Sequence, residues 1–248
     1  MGAKEKSYNQ HCPVAHAADV LSGRWTFLIL RNLLGGARRF NDIRKGIPRI
    51  SPTLLTDRLK HLEGRGLLEK VSNPENGYYE YVPTQSAYEV GPIINILGIW
   101  GQRWMVKQLP QNSVDIGIFM WDVQWRIDPA HFPAGQSTIG FEFTGYPNKE
   151  YQRWWVVVED SVDLCPVDPG FETDLYVVTD IETLLKVWMG DISAVAAIRE
   201  EKIDLQGRRD LVDSFSDWFP LSHYAIVPYA PEPLDLNNLM DKLNGIYT

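Results

Sequence analysis

Residues 49–66 read RISPTLLTDRLKHLEGRG, and LLEK follows at once. Ser51 before Pro52 is a helix start: a capping hydroxyl, then a ring whose fixed φ suits the first turn. Gly66 is the stop. Wound as a helix over 51–65, the segment puts Leu55, Leu59 and Leu62 on one face, flanked by Ser51 and Arg58. Thr53, Thr56, Asp57 and Lys60 point the other way.

The segments on either side extend the pattern. Upstream, Val14, Ala15, Ala18, Val20 and Leu21 make a short apolar helix that Gly23 ends. Trp25, Leu28, Ile29, Leu33 and Leu34 recur at helical spacing until Gly35-Gly36, and 39–46 can form a third helix with Phe40 and Ile43 inward. Downstream, LLEKVSN and YYEYVPT flank PENG, whose Asn76-Gly77 pair suits a tight turn between two strands. The order is helix, turn, helix, then a two-stranded wing. A helix with an apolar underside and a small polar top suits a DNA major groove, where hydroxyl, amide and ammonium groups reach base edges. Arg38, Arg39, Arg44, Lys45, Arg49, Lys60 and Arg65 surround it and suit phosphates of any sequence. The competing reading is an ordinary solvated helix in a bundle.

Charge divides the chain. Residues 1–107 hold 15 Lys+Arg against 9 Asp+Glu, whereas 108–248 hold 9 against 23, within a formal net charge of −8. The two halves therefore suit different partners, and the polar, proline-containing KQLPQNSVD (107–115) is the natural linker. We expect two domains, 1–111 and 112–248. At 248 residues, with 44% apolar residues and nine tryptophans, the chain can fill two cores. Two cysteines are too few for a disulfide framework and fit a reducing cytosol. No charged-then-apolar leader or uniformly apolar span stands out, so a cytoplasmic protein without a membrane partner is expected.

The run CPVAHAADVLSGRWTFLILRNLLGGARRFNDIRKGIPRISPTLLTDRLKHLEGRGLLEK, with EYVPT and LGIWG after it, resembles the HxlR family of winged-helix bacterial transcription regulators, relatives of the MarR group. The likeness covers roughly 11–105 and is carried by Cys12-Pro13, Gly23-Arg24-Trp25, Arg39-Phe40, Leu59, Leu62-Glu63, Gly66-Leu67 and Trp100-Gly101 in order. It implies that 51–65 is the recognition helix, with Ser51, Thr53, Thr56, Asp57 and Lys60 facing DNA; Arg39 and Arg49, from the surrounding basic cluster, are expected on its phosphates. Members often carry a basic residue before the last wing strand, where this chain has Gly77-Tyr78. The resemblance also implies a homodimer, for which the expected helix over 86–109 offers an apolar stripe of Ile93, Ile94, Leu97, Trp100, Trp104 and Leu109. The alternative is that the stripe packs within the chain. A two-fold dimer expects an inverted-repeat operator of double-stranded DNA.

From 114 the period shifts toward two: IGIFMWDVQWRI, STIGFEFTG, RWWVVVED, SVDLCPVD and DLYVVTD are strand candidates. Two helical segments about Gly190, a short strand at IDLQG and a last amphipathic helix over 208–219 follow. This is an α+β arrangement with a mainly antiparallel sheet. The order TDIETLLKVWMGDISAVAAIREEKIDLQGRRDLVDSF, with its Trp-x-Gly-Asp step and later Leu-x-Gly, resembles the sterol carrier protein type 2-like domain over about 137–220. That resemblance implies an apolar cavity for a hydrophobic small-molecule effector. By strict alternation Phe141, Phe143, Trp154, Val156, Leu175, Val177 and Trp188 share the inward face, either lining that cavity or simply filling a core. Glu142, Glu159 and Asp174 then look outward.

Catalytic signatures are missing from the sequence: there is no Walker loop, dinucleotide fingerprint or H-E-x-x-H, and His131, Asp163 and Cys165 show no triad order. No enzyme activity and no cofactor are expected. His11, Cys12 and His16 are too few for a closed zinc site, so no metal is expected. The HxlR-like resemblance gives Cys12 another role, since the amino-terminal cysteine of some relatives senses oxidants; a buried structural cysteine is the alternative. The leading expectation is a ligand-responsive DNA-binding regulator. The rival is a lipid-binding carrier that uses its winged helix for protein contacts.

Overall fold

The computed structural model describes residues 7–74, 77–106, 114–149 and 152–243. They divide into two compact units, one drawn from Met1–Gly98 with Asp235–Thr248, the other from Ile99–Leu234. The expected boundary after residue 111 lies outside the described residues. Among the described residues no helix is long and apolar enough to cross a membrane.

The first unit begins with α1 (Pro13–Leu21), α2 (Thr26–Leu34), α3 (Phe40–Lys45) and α4 (Pro52–Gly64). β1 (Leu68–Ser72) pairs antiparallel with β2 (Tyr79–Pro83), from Leu68 opposite Pro83 to Ser72 opposite Tyr79. Of the expected wing turn, Asn76 lies outside the described residues. Gly77 takes a φ of 70°, and its N–H reaches the Asn73 carbonyl at 2.9 Å. One core joins Ile29, Leu30 and Leu33 of α2 to Leu55, Leu59 and Leu62 of α4. Burying three leucines of α4 in this way holds the helix by one face and leaves the other to water.

The helix expected over 86–109 is two helices, α5 (Gln85–Tyr88) and α6 (Gly91–Trp104). Pro92 has no N–H to give to the turn before it, so it opens a fresh helix instead of continuing one. Ile94 leaves the expected stripe for the core, while Ile96 joins it, and Leu109 lies outside the described residues. Ile93, Ile96, Leu97, Trp100 and Trp104 are each 43% to 54% exposed, an apolar face on α6 among the described residues.

The second unit opens with a correction: 116–124 is a helix, α7 (Ile116–Gln124), not a strand. Asp115 caps it by accepting from the Ile118 N–H at 3.2 Å, and Ile116, Phe119, Met120, Val123 and Ile127 are buried at spacings of three and four. That is the helical period; the apparent alternation came from an almost wholly apolar segment. β3 (Ser137–Phe143), β4 (Arg153–Val158), β5 (Val162–Cys165), β6 (Leu175–Thr179) and β7 (Ile203–Gly207) form a five-stranded sheet in the order β5-β4-β3-β6-β7. Only β3 and β6 pair parallel, so the sheet is mainly antiparallel as expected.

α8 (Ile181–Trp188) and α9 (Ala194–Arg199) lie between β6 and β7 in the chain. Gly190, at φ 75°, closes α8: its N–H reaches the Val187 carbonyl at 3.0 Å and that of Asp191 reaches Lys186 at 2.9 Å. This explains the glycine of the Trp-x-Gly-Asp step. The glycine of Leu-x-Gly has a different reason: a Cβ on Gly207 would stand 2.1 Å from the Asp174 carbonyl oxygen, on the neighbouring strand segment. The last amphipathic helix expected over 208–219 is two short ones, α10 (Arg209–Asp213) and α11 (Phe215–Trp218). Ser214 interrupts them, its hydroxyl donating to the Asp210 carbonyl at 2.7 Å and competing with the backbone ladder. Nor is it the last helix. α12 (Leu236–Leu243) follows and belongs to the first unit, where the Asn95 amide donates to the Leu243 carbonyl at 3.1 Å.

Candidate nucleic-acid interface

The surface of α4 is built from its cap upward. Ser51 accepts from the Leu54 N–H at 3.2 Å and fixes the first turn, with Pro52 behind it. Thr53, Asp57 and Lys60 are exposed and Thr56 is half-buried, and their spacing of three and four residues puts them on one side of the helix. The Thr56 hydroxyl donates to the Pro52 carbonyl at 2.9 Å, which leaves its oxygen lone pairs and methyl group to face outward. The expected polar face therefore forms. Arg49 is exposed in the turn just before Ser51.

Arg39 stands at the N-cap position of α3, and its guanidinium lies 5.5 Å from the centre of the Tyr78 ring. This ties the α3 arginine to the wing by a cation–π contact that sequence spacing did not suggest. A second such contact lies on the wing itself, where the Lys70 ammonium stands 4.2 Å from the Tyr79 ring centre. The wing thus carries its cation on β1, not at the Gly77-Tyr78 position where relatives often have one. Tyr78 and Tyr79 are 63% and 58% exposed. The backbone N–H of Tyr81 donates to the Arg38 carbonyl at 2.8 Å and holds β2 against the turn before α3. Burial first, and the Glu63 charge second, push the Tyr81 phenol up, so it stays neutral at physiological pH.

Arg38 and Lys45 of the surrounding cations, and Arg58 of α4 itself, have other occupations. The Arg38 guanidinium donates to the Leu33 and Ala37 carbonyls at the end of α2, so it caps a helix. Arg58 packs against Gly23, where a Cβ would stand 2.7 Å from its Nη1. That contact gives the Gly23-Arg24-Trp25 step a physical reason, and Trp25 follows it at a φ of 79°. Lys45 pairs with Asp42 at 3.4 Å across an exposed turn. Arg39, Arg44, Arg49, Lys60 and Arg65 remain exposed around the helix start and end.

The other expected sites can be placed as well. Phe141, Phe143, Trp154, Val156, Leu175, Val177 and Trp188 all lie in one core beneath the helices of the second unit, none more than 7% exposed. Six of them stand at every second position of β3, β4 and β6, whereas Trp188 reaches the same core from α8 instead of from a strand; burial itself does not alternate on β3, where only Glu142 is not buried. Cys12 is half-buried at the N-cap of α1. Among the described residues no group of His, Cys, Asp and Glu is arranged to hold a metal ion.

A three-helix core, a further helix with a polar outer face and a two-stranded wing define the first unit as a winged helix-turn-helix domain. Residues 20–109 match the family described as HxlR-like helix-turn-helix. The HTH-type transcriptional regulator YvaP of Bacillus subtilis (strain 168) is 34% identical over 99 residues, 39% of this chain and 92% of that protein. An HTH-type transcriptional regulator of Methanothermobacter thermautotrophicus is 35% identical over 103 residues, 41% of this chain and 77% of that protein. Among solved structures, the reduced form of the transcriptional regulator YodB from Bacillus subtilis is 29% identical, covering 40% of this chain and 98% of that one with a TM-score of 0.35. The chain belongs to the HxlR-like helix-turn-helix family. Residues 110–248 lie outside the matched span.

Proposed function

We propose that this protein is a DNA-binding transcription regulator that acts as a homodimer on an inverted-repeat operator, its affinity set by a hydrophobic small molecule held in the second unit. The observation that carries the reading is α4: capped, anchored by three buried leucines, and presenting Thr53, Thr56, Asp57 and Lys60 outward between exposed arginines. In this reading Arg39 and Arg49 grip phosphates and set position, Ser51 holds the helix start, and the outward side chains of α4 read base edges. Relatives named as transcriptional regulators support it.

The exposed face of α6 supports the dimer. Five large apolar side chains at helical spacing are costly in water, and a second copy placed by a two-fold axis would cover both stripes at once. The seven apolar residues of the second unit support an effector: six on the sheet meet Trp188 of α8 in one core, and a ligand entering it would have to part helices from sheet. Such a ligand shifts operator affinity only by binding one arrangement of the dimer better than the other. Cys12, beside the start of α1, is a second input in this reading, through oxidation of its thiolate.

The test is an electrophoretic shift with a fragment of the protein's own promoter. A saturable, sequence-selective shift at physiological salt is expected. Arg39→Ala should weaken it and lower the dependence of log K on log salt by about one. No selective shift would favour a lipid carrier that uses the winged helix for protein contacts.

A further inference from the structure

Arg126 follows α7 in the second unit and is an unusual cation. Its guanidinium is largely withdrawn from water, and burial alone pulls its affinity for the proton down. Its Nε is inaccessible and has no partner, while its Nη1 meets the imidazole of His223. A guanidinium has five donors and no acceptor, and a neutral imidazole accepts through one nitrogen only. His223 is that neutral partner: burial first, and the Arg126 charge second, bring its pKa down to about 4. Among the described residues no carboxylate is paired with either group, in a half of the chain that holds 23 of them.

The surroundings of the pair are apolar on one side. Ile127, next in the chain, is buried in the core with Trp188, and the N–H of Ser222, beside His223, donates to the Trp188 carbonyl at 2.7 Å. Trp188 in turn meets Phe119 edge to face, with ring centres 5.8 Å apart. A desolvated cation thus borders the core assigned above to the effector.

We propose that Arg126 and His223 form the headgroup site of that effector, which is an apolar compound bearing a carboxylate. This rests on the effector reading and narrows it. The carboxylate takes two guanidinium donors in the bidentate manner, His223 holds the guanidinium in place, and the apolar body lies toward Trp188. The acidic surface of this half selects against polyanions, and the single recessed cation accepts a monoanion.

The full-length chain is titrated calorimetrically with decanoate, decanol and decyl phosphate. Decanoate should bind at least tenfold more tightly than decanol, and Arg126→Met should remove that preference. Ligand-free Arg126→Met should melt no lower than the wild type, because an unpaired buried charge has gone. Arg126→Gln serves if the methionine variant fails to fold. Equal binding of decanoate and decanol by the wild type, or a preference that survives loss of Arg126, overturns the headgroup site and leaves the effector reading standing. Decyl phosphate bound in place of decanoate overturns the carboxylate. Binding of none of the three overturns both readings.

Discussion

Ser51, Gly207 and His223 each hold their place for a different physical reason. Ser51 supplies a hydroxyl that a helix start needs, and the dipeptide Ser-Pro is visible in the sequence without coordinates. Gly207 is fixed by a carbonyl oxygen 2.1 Å from where its side chain would begin. Nothing in a window of sequence reveals that approach, because Asp174 is 33 residues away. His223 titrates near 4 in the folded protein instead of its ordinary 6.5. Between those two values the unfolded chain takes up a proton that the folded one refuses, so stability is complete above about 6.5 and is lost as pH falls toward 4. Thermal melts across that range should show the midpoint dropping with pH, and His223→Gln should flatten the drop. An unchanged slope in the variant would mean that carboxylates, not this imidazole, govern the acid side.

Among the elements, α4 separates its structural from its functional face most cleanly. Leu59 is 1% exposed in the first core, whereas its neighbour Lys60 is exposed. Leu59→Ala should cost about 2–5 kcal/mol of stability. Lys60→Ala should change stability by less than about 0.5 kcal/mol while weakening DNA binding. Denaturant unfolding measures the first effect and fluorescence anisotropy with a DNA fragment the second; a Lys60→Ala that unfolds early would place that side chain in the fold instead. α4 was legible because its cap, its leucine row and its glycine stop agree. α7 was not, since a segment with Ile, Phe, Met, Trp and Val at almost every position looks buried under either period, and only its cap, Asp115, distinguishes a helix. The split of 208–219 was hidden for a similar reason: one serine hydroxyl turned inward on the backbone. The core-facing residues of β3, β4 and β6 were legible because large apolar side chains recur two apart, but the burial of β3 at every position except Glu142 was not.

In the molecule as a whole, a basic half is joined in one chain to an acidic one, and the structure returns the last helix, α12, to the first unit. That return could not be read from the sequence, where α12 stands beyond the acidic segment and outside the matched residues 20–109. The exposed stripe of α6 is the element through which two copies should meet. Trp100→Glu should convert a dimer to a monomer in analytical ultracentrifugation at micromolar concentration, with the fold retained by circular dichroism. A variant that stays dimeric would send the interface elsewhere.

The central claim is that α4 enters a DNA groove, and cross-linking tests it most directly. A photoreactive side chain at Thr56 of the full-length protein, irradiated on a selectively bound promoter fragment, should attach to bases at two places about ten base pairs apart, one for each copy. Attachment to no base from position 56, while the same probe at Asp217 in the second unit attaches to the fragment, would contradict it.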